Sequence, residues 1–486
     1  MSKKSIPTFR PGEIVVEFLP EFVGSQFPLG FAPGILEMLA MVKREYGATK
    51  IETLWRVGVS NSVGAGTSGR TSSVLKVPTG LPSIVAQWIS SLQDLTGLRD
   101  VVDPALAAEA RRRLRIYFPR RENLDQLLFR IGNPTFIEHA ELIPFVLGPK
   151  VDVHTKEEYQ SREIEPRAPD SSAFLPVQEV ERPETWDFLS LSNIAILDSG
   201  CDDKHPGLEG RVDFANEESR RDGYGHGTFI AHSIAGQAKV ARKKYGVDPK
   251  KVSDTVGGLL PASKLWVANV MDPEPFDDGD GKLQYSLDPG RYSFELNRIA
   301  SRSTKRLEQI DVVNLSLGSE SASKTLRKDI AALEKAGVVV VAAAGNSPSG
   351  KQGKVIYPAA FSSTISVGAL AYEGDGTSIW ARTNRRLPED SERTKAWDIC
   401  APGEWILSGL PLNKNALGLT FSGWLTGTSM AAPYVTAAVA VLCAQGIKGR
   451  DNVLAELERL GPEKKGITRL VCPPGTPRFK EKKAHG

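Results

Sequence analysis

The fold of the second half of this sequence is decided by GVVVVAAAGN, residues 337–346. Four valines and three alanines form an unbroken apolar run, whereas a strand with one face in water alternates apolar and polar residues. Such a run is typical of a strand buried on both faces of a parallel sheet. Similar runs are NIAILD at 193–198, KLWVANVM at 264–271, DVVNLSLG at 311–318 and TISVGAL at 364–370. Because helical segments separate these runs, the sequence predicts an α/β fold: a doubly wound, mostly parallel sheet covered by helices.

The first half of the sequence has a different pattern. A strand, a helix and a second strand are predicted in turn, and strand, helix and strand follow again after an interruption at about 60–109. Joined, the two parts give the order βαββαβ, which predicts a ferredoxin-like α+β N-terminal domain, residues 10–148, carrying an insertion. Residues 149–188 are charged and contain prolines without a sustained period, as in a linker. We therefore place the second domain at 189–462 and a basic C-terminal tail at 463–486.

Composition excludes several classes of protein. The chain has 486 residues, 41% of them hydrophobic, and a net charge of only +3, so no nucleic-acid partner is expected. The sequence contains no apolar stretch of about 20 residues that would span a membrane, and no apolar segment of the secretory type follows the first lysines. A cytoplasmic location without membrane association is therefore expected. The cysteines are too far apart for a CxxC metal site or a disulfide framework, which predicts free thiols at Cys201, Cys400, Cys443 and Cys472.

Three polar residues lie at the end of a predicted strand or at the start of a predicted helix. The carboxyl ends of strands are where α/β folds place ligands and catalytic groups. Asp198 ends an apolar run, His226 lies between two glycines at a predicted helix start, and Ser429 precedes a run of small apolar residues. Taken singly, they are explained as a turn, a cap and a helix start. Together they form the set that nucleophilic acyl transfer needs, because an imidazole takes the serine proton and a carboxylate orients the imidazole.

Seven segments between residues 190 and 445 together resemble the subtilisin-like serine proteases, the subtilase family. They are AILDSGCDDKHPGL (195–208), GHGTFIAHSIAG (225–236), VVNLSLG (312–318), VVVVAAAGN (338–346), YPAAF (357–361), DICAPGEWILS (398–408) and GTSMAAPYVTAAVAVL (427–442). The order Asp, His, Ser along the chain is the one that subtilisin has. The resemblance implies a subtilisin-like fold and a serine endopeptidase that hydrolyses peptide bonds of protein or peptide substrates.

The resemblance also implies roles for individual residues. Ser429 would be the nucleophile, His226 the general base and then acid, and Asp198 the orienting carboxylate. Asn346 would donate to the oxyanion alongside the backbone N–H of Ser429. Substrate-binding roles are implied for two sets: Ser316, Leu317 and Gly318 as an edge that pairs with an extended substrate, and Ala343, Ala344 and Gly345 as a wall of the pocket before the scissile bond.

Other matches concern the backbone. Gly427 would let the chain approach closely before the nucleophile, and Pro433 would lie in the first turn of the following helix. Tyr357-Pro358 matches a position that is cis in relatives, although a trans bond is favoured by X–Pro statistics alone.

The N-terminal domain resembles the propeptides of the family in its order of elements. FIEHAELIPFV, 136–146, resembles the last strand and exit segment of a propeptide, which lies in the active-site cleft. This predicts that the N-terminal domain keeps the enzyme inactive and that the linker contains a possible autoprocessing site. The alternative is an unrelated α+β domain that binds a substrate or a regulatory partner, which the sequence does not identify.

The sequence departs from the family in several places. Phe229 replaces the second histidine of the HGTH motif, which leaves His226 as the base. His205 follows two aspartates, but a structural loop explains this stretch better than a metal cluster, and the acidic loop 272–282 fails the EF-hand template. No metal site is predicted and no cofactor is required, although structural calcium held by backbone oxygens is compatible with the sequence. The charged insertions at 237–257 and 380–397 are explained by exposed variation, or by substrate access or partner docking.

The competing class is a non-catalytic regulatory or binding protein on a subtilase scaffold. Retention of Asp198, His226, Asn346 and Ser429 together favours the enzyme. General protein turnover and the cleavage of one intracellular target both remain open as its purpose.

Overall fold

A computed structural model describes most of the chain. The described residues are 9–23, 26–27, 31–54, 104–119, 124–132, 134–144, 146, 148–154, 184–237, 257–272, 276–277, 283–302, 304–348, 351–371, 378–461, 463–464, 467–468 and 470. The chain divides into two compact units, Met1–Phe145 with Pro289–Phe294 and Val146–Asp288 with Glu295–Gly486.

The first unit contains a four-stranded antiparallel sheet in the order β2-β3-β1-β4. Its strands are β1 (Phe9–Phe18), β2 (Lys50–Thr53), β3 (Arg113–Tyr117) and β4 (Ile137–Pro144), and its helices are α1 (Pro33–Tyr46), α2 (Pro104–Arg112) and α3 (Leu124–Ile131). Alternate residues of β1, Ile14, Val16 and Phe18, are fully buried in one cluster with apolar residues of α1 and α3. This strand order is that of the ferredoxin-like fold, so the predicted fold class is confirmed.

Helix α2 is an addition to the predicted order, and it leads directly into β3. It overlaps the end of the predicted insertion at 60–109. Residues 60–103 of that insertion lie outside the described part of the chain.

The second unit is built on a seven-stranded sheet in the order β14-β13-β12-β11-β6-β8-β7. These strands are β6 (Ile194–Asp198), β7 (Val212–Phe214), β8 (Leu265–Asn269), β11 (Val312–Leu315), β12 (Val339–Ala343), β13 (Thr364–Leu370) and β14 (Ile399–Pro402). All of its pairings are parallel, and β12, the strand from the opening run, is buried along its whole length. The predicted parallel sheet is therefore confirmed.

The helices of this unit include two that contribute to the candidate site. They are α4 (His226–Ala235), α6 (Lys305–Glu308), α7 (Lys324–Lys335), α8 (Thr428–Ala444) and α9 (Arg450–Leu460), while α5 (Pro289–Ser301) is divided, with Pro289–Phe294 in the first unit and the rest in the second. Helix α8 consists of small and apolar residues and is buried up to Cys443. It packs against α4 and against five strands of the sheet, β6, β11, β12, β13 and β14, so its first turn is fixed by the core.

Pro433 is the sixth residue of α8, and the prediction that it lies in the first turn is wrong. Because proline has no N–H, the carbonyl of Ser429 loses its i+4 partner. The hydroxyl of Ser316 donates to this carbonyl at 3.0 Å instead. The carbonyl that the proline leaves without a helical donor thus links the first turn of α8 to the end of β11 by a hydrogen bond.

A smaller antiparallel sheet has the order β15-β16-β5. Its strands are β5 (Asp152–His154), β15 (Ile406–Gly409) and β16 (Ser422–Thr426), and two-stranded pairings join β9 (Phe276–Asp277) to β10 (Leu283–Gln284) and β17 (Glu463–Lys464) to β18 (Ile467–Thr468). Strand β5 lies inside the range predicted as a linker. Local patterning cannot reveal it, because its partner is more than 260 residues away in the sequence.

Several other predictions have clear outcomes. Cys201, Cys400 and Cys443 are buried free thiols, and burial raises the pKa of each above its ordinary value, while Cys472 lies outside the described residues. The Tyr357–Pro358 bond is cis, as in the resembled family and against the trans form that statistics favour. Within the described part of the chain, none of the helices has the length and apolar character that crossing a bilayer requires.

Candidate active site

Asp198 and His226 meet at the carboxyl end of β6. This strand lies between β8 and β11, where the chain order of the sheet reverses. The His226 Nδ1 lies 2.8 Å from Oδ1 and 3.0 Å from Oδ2 of Asp198, and both side chains are fully buried. The carboxylate therefore holds the proton on Nδ1 and leaves a lone pair on Nε2. The Nε2 atom is buried and has no hydrogen-bond partner among the described residues.

A second carboxylate, Asp222, fixes the start of α4. It accepts four hydrogen bonds at 2.6–2.8 Å, from Ser199 Oγ, Gly225 N, Thr228 N and Thr228 Oγ1. Burial raises the pKa of Asp222 to about 6 in spite of these donors. Sequence reasoning missed this residue, because a capping side chain is expected directly before the helix, where Gly225 stands.

The end of β6 and the start of α4 also approach closely because Gly227 has no side chain. A Cβ at this position would lie 2.1 Å from the carbonyl oxygen of Gly200. Any other residue would push the helix away from the strand end, and with it His226 from Asp198.

Ser429 is the second residue of α8 and is almost completely buried. Its hydroxyl donates to the carbonyl oxygen of Ser316 at 2.9 Å. Among the described residues it makes no hydrogen bond to His226. The structure therefore brings Asp198 and His226 together, while Ser429 adopts a rotamer that points to the end of β11.

Asn346 has its amide oriented by Thr428. The Oδ1 atom of Asn346 accepts from both the N–H and the hydroxyl of Thr428, each at 2.9 Å, and that hydroxyl accepts from Gly345 N. Since Oδ1 faces these donors, the Nδ2 group must face the other way. A Cβ on Gly427 would come within 2.7 Å of Nδ2, so glycine is required there. Thr428 was not identified from the sequence.

The Nδ2 of Asn346 donates to the carbonyl oxygen of Lys150 at 2.7 Å. This carbonyl belongs to an extended segment, residues 148–154, that follows the predicted propeptide-like domain. Gly148 N donates to the carbonyl of Tyr285 at 2.6 Å, and the hydroxyl of Tyr224 donates to the carbonyl of Pro149. The segment then continues into β5.

The predicted substrate-binding residues follow the ends of two sheet strands. Ser316, Leu317 and Gly318 come directly after β11, and Gly318 approaches so closely that a Cβ would lie 2.2 Å from the carbonyl oxygen of Tyr357. Ala343 is the last residue of β12, and Ala344 and Gly345 follow it. Ala343 and Ala344 are buried. The side chains of Asn384 and Ile356, which the sequence did not indicate, lie next to Gly345 and would contact a Cβ at this position.

A second buried histidine lies on α4, close to His205. His232 and His205 pack edge to face with ring centroids 5.0 Å apart, and burial lowers the pKa of each. His205 Nδ1 accepts from Gly207 N at 3.2 Å, and its Nε2 contacts the carbonyl of Phe421 at 3.0 Å, as expected for a structural loop. Where side chains are described, no group of three or more His, Cys, Asp and Glu residues could hold a metal ion. Most of loop 272–282 and of insertion 237–257 lies outside the described residues.

Comparisons with known proteins find similarity to one family in the second half of the chain. The model of the subtilase family matches residues 192–452. The major intracellular serine protease of Bacillus subtilis (strain 168) is 30% identical over 296 residues, which covers 58% of this chain and 78% of that protein. The intracellular serine protease of Paenibacillus polymyxa is 28% identical over 300 residues, covering 59% and 75%.

One solved structure matches almost the whole chain. Fervidolysin from Fervidobacterium pennivorans, described as a keratinolytic enzyme related to subtilisin, aligns with a TM-score of 0.58 at 18% identity and covers 96% of this chain and 60% of its own. At that identity the likeness concerns the fold alone.

Proposed function

The chain belongs to the subtilase family and is a serine endopeptidase, and we propose that it hydrolyses peptide bonds through an acyl-enzyme on Ser429. His226 is the proposed general base and Asp198 the carboxylate that orients it. The observation that carries this assignment is the buried pair of Asp198 and His226, in which the Nε2 of His226 lacks a partner among the described residues. A buried nitrogen of this kind normally has a partner, and the serine hydroxyl is the one that this chemistry supplies.

The proposed reaction begins with a change of the Ser429 rotamer from Ser316 toward His226. As the Ser429 oxygen attacks the substrate carbonyl carbon, His226 takes the hydroxyl proton, and Asp198 stabilises the imidazolium. His226 then gives this proton to the leaving amine, the C–N bond breaks, and the acyl group stays on Ser429. A water molecule, deprotonated by His226 in the same way, then attacks the acyl carbon. The ester bond to Ser429 breaks, His226 returns the proton to the serine oxygen, and the acid product leaves.

Asn346 is the proposed oxyanion donor. Thr428 fixes its amide so that Nδ2 faces the segment that crosses the site, and a carbonyl oxygen already accepts from it at 2.7 Å. A donor that is oriented in advance costs no reorganisation when negative charge develops on that oxygen. The backbone N–H of Ser429, in the first turn of α8, is the proposed second donor.

We also propose that the chain's own N-terminal part keeps the enzyme inactive. The Asn346 amide donates to the Lys150 carbonyl, and β5 is paired with β16, the strand that leads into α8. A substrate therefore cannot bind to this amide or to this strand edge at the same time. Removal of this segment, by cleavage in the range 149–188 or by displacement, would free the site.

Covalent labelling tests the nucleophile. A fluorophosphonate probe should label the purified protein, and Ser429→Ala should abolish both the label and casein hydrolysis. Ser422→Ala, on strand β16 seven residues earlier, is the matched control and should keep both. Labelling that persists in Ser429→Ala would indicate a different nucleophile, and a wild type that neither takes the label nor hydrolyses casein would support the non-catalytic alternative.

Intact mass measurement tests the inactive state. The wild type should convert with time to fragments cut between residues 149 and 188, with casein hydrolysis rising in parallel, and Ser429→Ala should remain full length. An uncut wild type that is fully active from the start would contradict the proposal.

The relatives named as intracellular serine proteases support an intracellular location for this enzyme. We propose a role either in general protein turnover or in cleaving one target, with peptide profiling of a proteome digest to separate them. The proposed chemistry needs no cofactor, and activity that survives EDTA would agree with this.

A further inference from the structure

The extended segment 148–154 crosses the site as a substrate would. Provided that Asn346 is the oxyanion donor of the proposed function, the Lys150 carbonyl marks the position of the carbonyl under attack. The bond between Lys150 and Val151 then stands in the scissile position. Residues 151–154 therefore lie on the side of the leaving group.

Residues on both sides of that bond contact the protein. Before the bond Pro149 is buried and Lys150 is exposed, and after it Val151 is half-buried and packs against the main core cluster. Asp152 and His154 each have a specific partner. We propose that this protease selects substrates by a carboxylate at the second residue and a flat ring at the fourth residue after the scissile bond.

Strand β16 sets the register of this recognition. It pairs antiparallel with β5, and Thr426, Leu425 and Trp424 lie opposite residues 152, 153 and 154. Only Gly427 separates β16 from α8, which carries the proposed nucleophile. A substrate strand added to this edge therefore has its second and fourth leaving-group residues at fixed positions relative to Ser429.

Arg382 is the partner for the carboxylate. Its guanidinium contacts both oxygens of Asp152, and its Nε donates to the carbonyl of Ser347 at 2.8 Å, which orients the planar fork. Ser347 follows the proposed oxyanion donor directly. Among the described residues Asp152 is the only carboxylate that pairs with Arg382, so its departure leaves the guanidinium available to a carboxylate of the substrate.

Trp405 is the partner for the ring. The His154 ring stacks on it with centroids 3.7 Å apart and planes 22° apart, and His154 Nε2 lies 2.8 Å from Thr426 Oγ1. The Thr426 hydroxyl accepts from Trp405 N at 2.9 Å, so its own O–H can donate a hydrogen bond to the imidazole of His154. Trp405 has φ 58, in the left-handed region that favours glycine. A bulky ring kept at such a turn is typical of a functional site.

The test compares substrates that have residues after the bond with substrates that have none. Quenched peptides should differ only at the second leaving-group residue (Asp, Ala or Lys) or at the fourth (His, Phe or Gly), and a peptidyl coumarin amide has neither. For the wild type we expect kcat/KM to favour Asp over Ala about fivefold, less at high salt, because the pair is partly exposed. A preference for His or Phe over Gly of about fivefold is expected at the fourth position.

Variants assign each preference to one residue. Arg382→Gln should abolish the preference for Asp, and Arg382→Glu should reverse it toward Lys, each measured as the ratio of kcat/KM between the two peptides. Arg385→Gln is the matched control, since among the described residues Arg385 donates to the main-chain carbonyls of Thr383 and Trp380 and to no carboxylate. Trp405→Gly, which suits the φ of this turn, should remove the preference at the fourth position alone.

Two outcomes separate this inference from the proposed function. If the wild type cleaves the coumarin amide but treats Asp and Lys peptides equally, the leaving-group selection is wrong and the endopeptidase mechanism stands. If Ser429→Ala hydrolyses the amide as fast as the wild type, the proposed nucleophile is wrong, and the assignment of the scissile position fails with it.

Discussion

Helix α4 carries two buried histidines whose surroundings differ. His226 has a carboxylate on Nδ1 and a buried Nε2 without a partner among the described residues. His232, less than two turns later, contacts the hydroxyl of Ser408 at 3.3 Å and packs against His205. Asp198 contacts Nδ1 of one imidazole, whereas burial lowers the pKa of the other. The comparison teaches that the neighbouring carboxylate and the empty hydrogen-bond position, and not burial, distinguish the proposed base.

The largest effect is expected when this carboxylate is removed. In Asp198→Asn the amide no longer fixes the tautomer with the proton on Nδ1, and kcat should fall by about 10⁴. Steady-state kinetics on the coumarin amide would measure this. A fall of less than tenfold would show that Asp198 does not set the protonation of His226.

A smaller effect is expected from the capping carboxylate. In Asp222→Asn one oxygen is replaced by NH₂, which cannot accept from its two donors, so the start of α4 should shift. A small displacement of His226 should lower kcat/KM by about 10²-fold, with KM nearly unchanged. An unaltered kcat/KM would mean that the helix start is held by other contacts, such as that between Gly227 and Gly200.

The smallest effect on activity is expected at the second histidine. His232→Leu keeps the volume roughly constant, so kcat/KM should change by less than about twofold and the free energy of unfolding by less than about 1.5 kcal/mol at pH 8. Activity and denaturant unfolding at this pH are the measurements. A large loss of activity would contradict the division between the two histidines.

The same variant should change the response to acid. Because burial lowers the folded pKa of His232 and His205 below the ordinary 6.5, the unfolded chain binds more protons as pH falls through this range. The contribution of these two histidines to the free energy of unfolding should therefore be complete above pH 6.5 and fall below it. His232→Leu should lose less between pH 6.5 and pH 5, as measured by urea unfolding. Parallel losses in both proteins would rule out a contribution from His232.

The sequence predicts the parts of this molecule that depend on local order. The apolar runs predict the parallel sheet, and Asp198, His226, Asn346 and Ser429 follow from short motifs with fixed spacing. Their implied roles remain proposals, because the structure alone does not test them.

The parts that the sequence does not predict depend on contacts between distant segments. Asp222 acts through donors that only the folded turn brings together, and Thr428 matters because Asn346 comes from another strand end. The position of Pro433 in α8 depends on where the helix begins. The pairing of β5 with β16 brings Nε2 of His154 to 2.8 Å from Oγ1 of Thr426, 272 positions later in the sequence, which no local pattern encodes.

This pairing has a consequence for the time course of activation. After a cut between Lys150 and Val151, β5 would still be covalently joined to the catalytic unit through residues 155–183. A tethered product has an effective concentration that reaches about the millimolar range, so it competes with substrate long after the bond is broken. Bond cleavage and the appearance of full activity would then be separate events, with a lag that a second cut within the tether shortens.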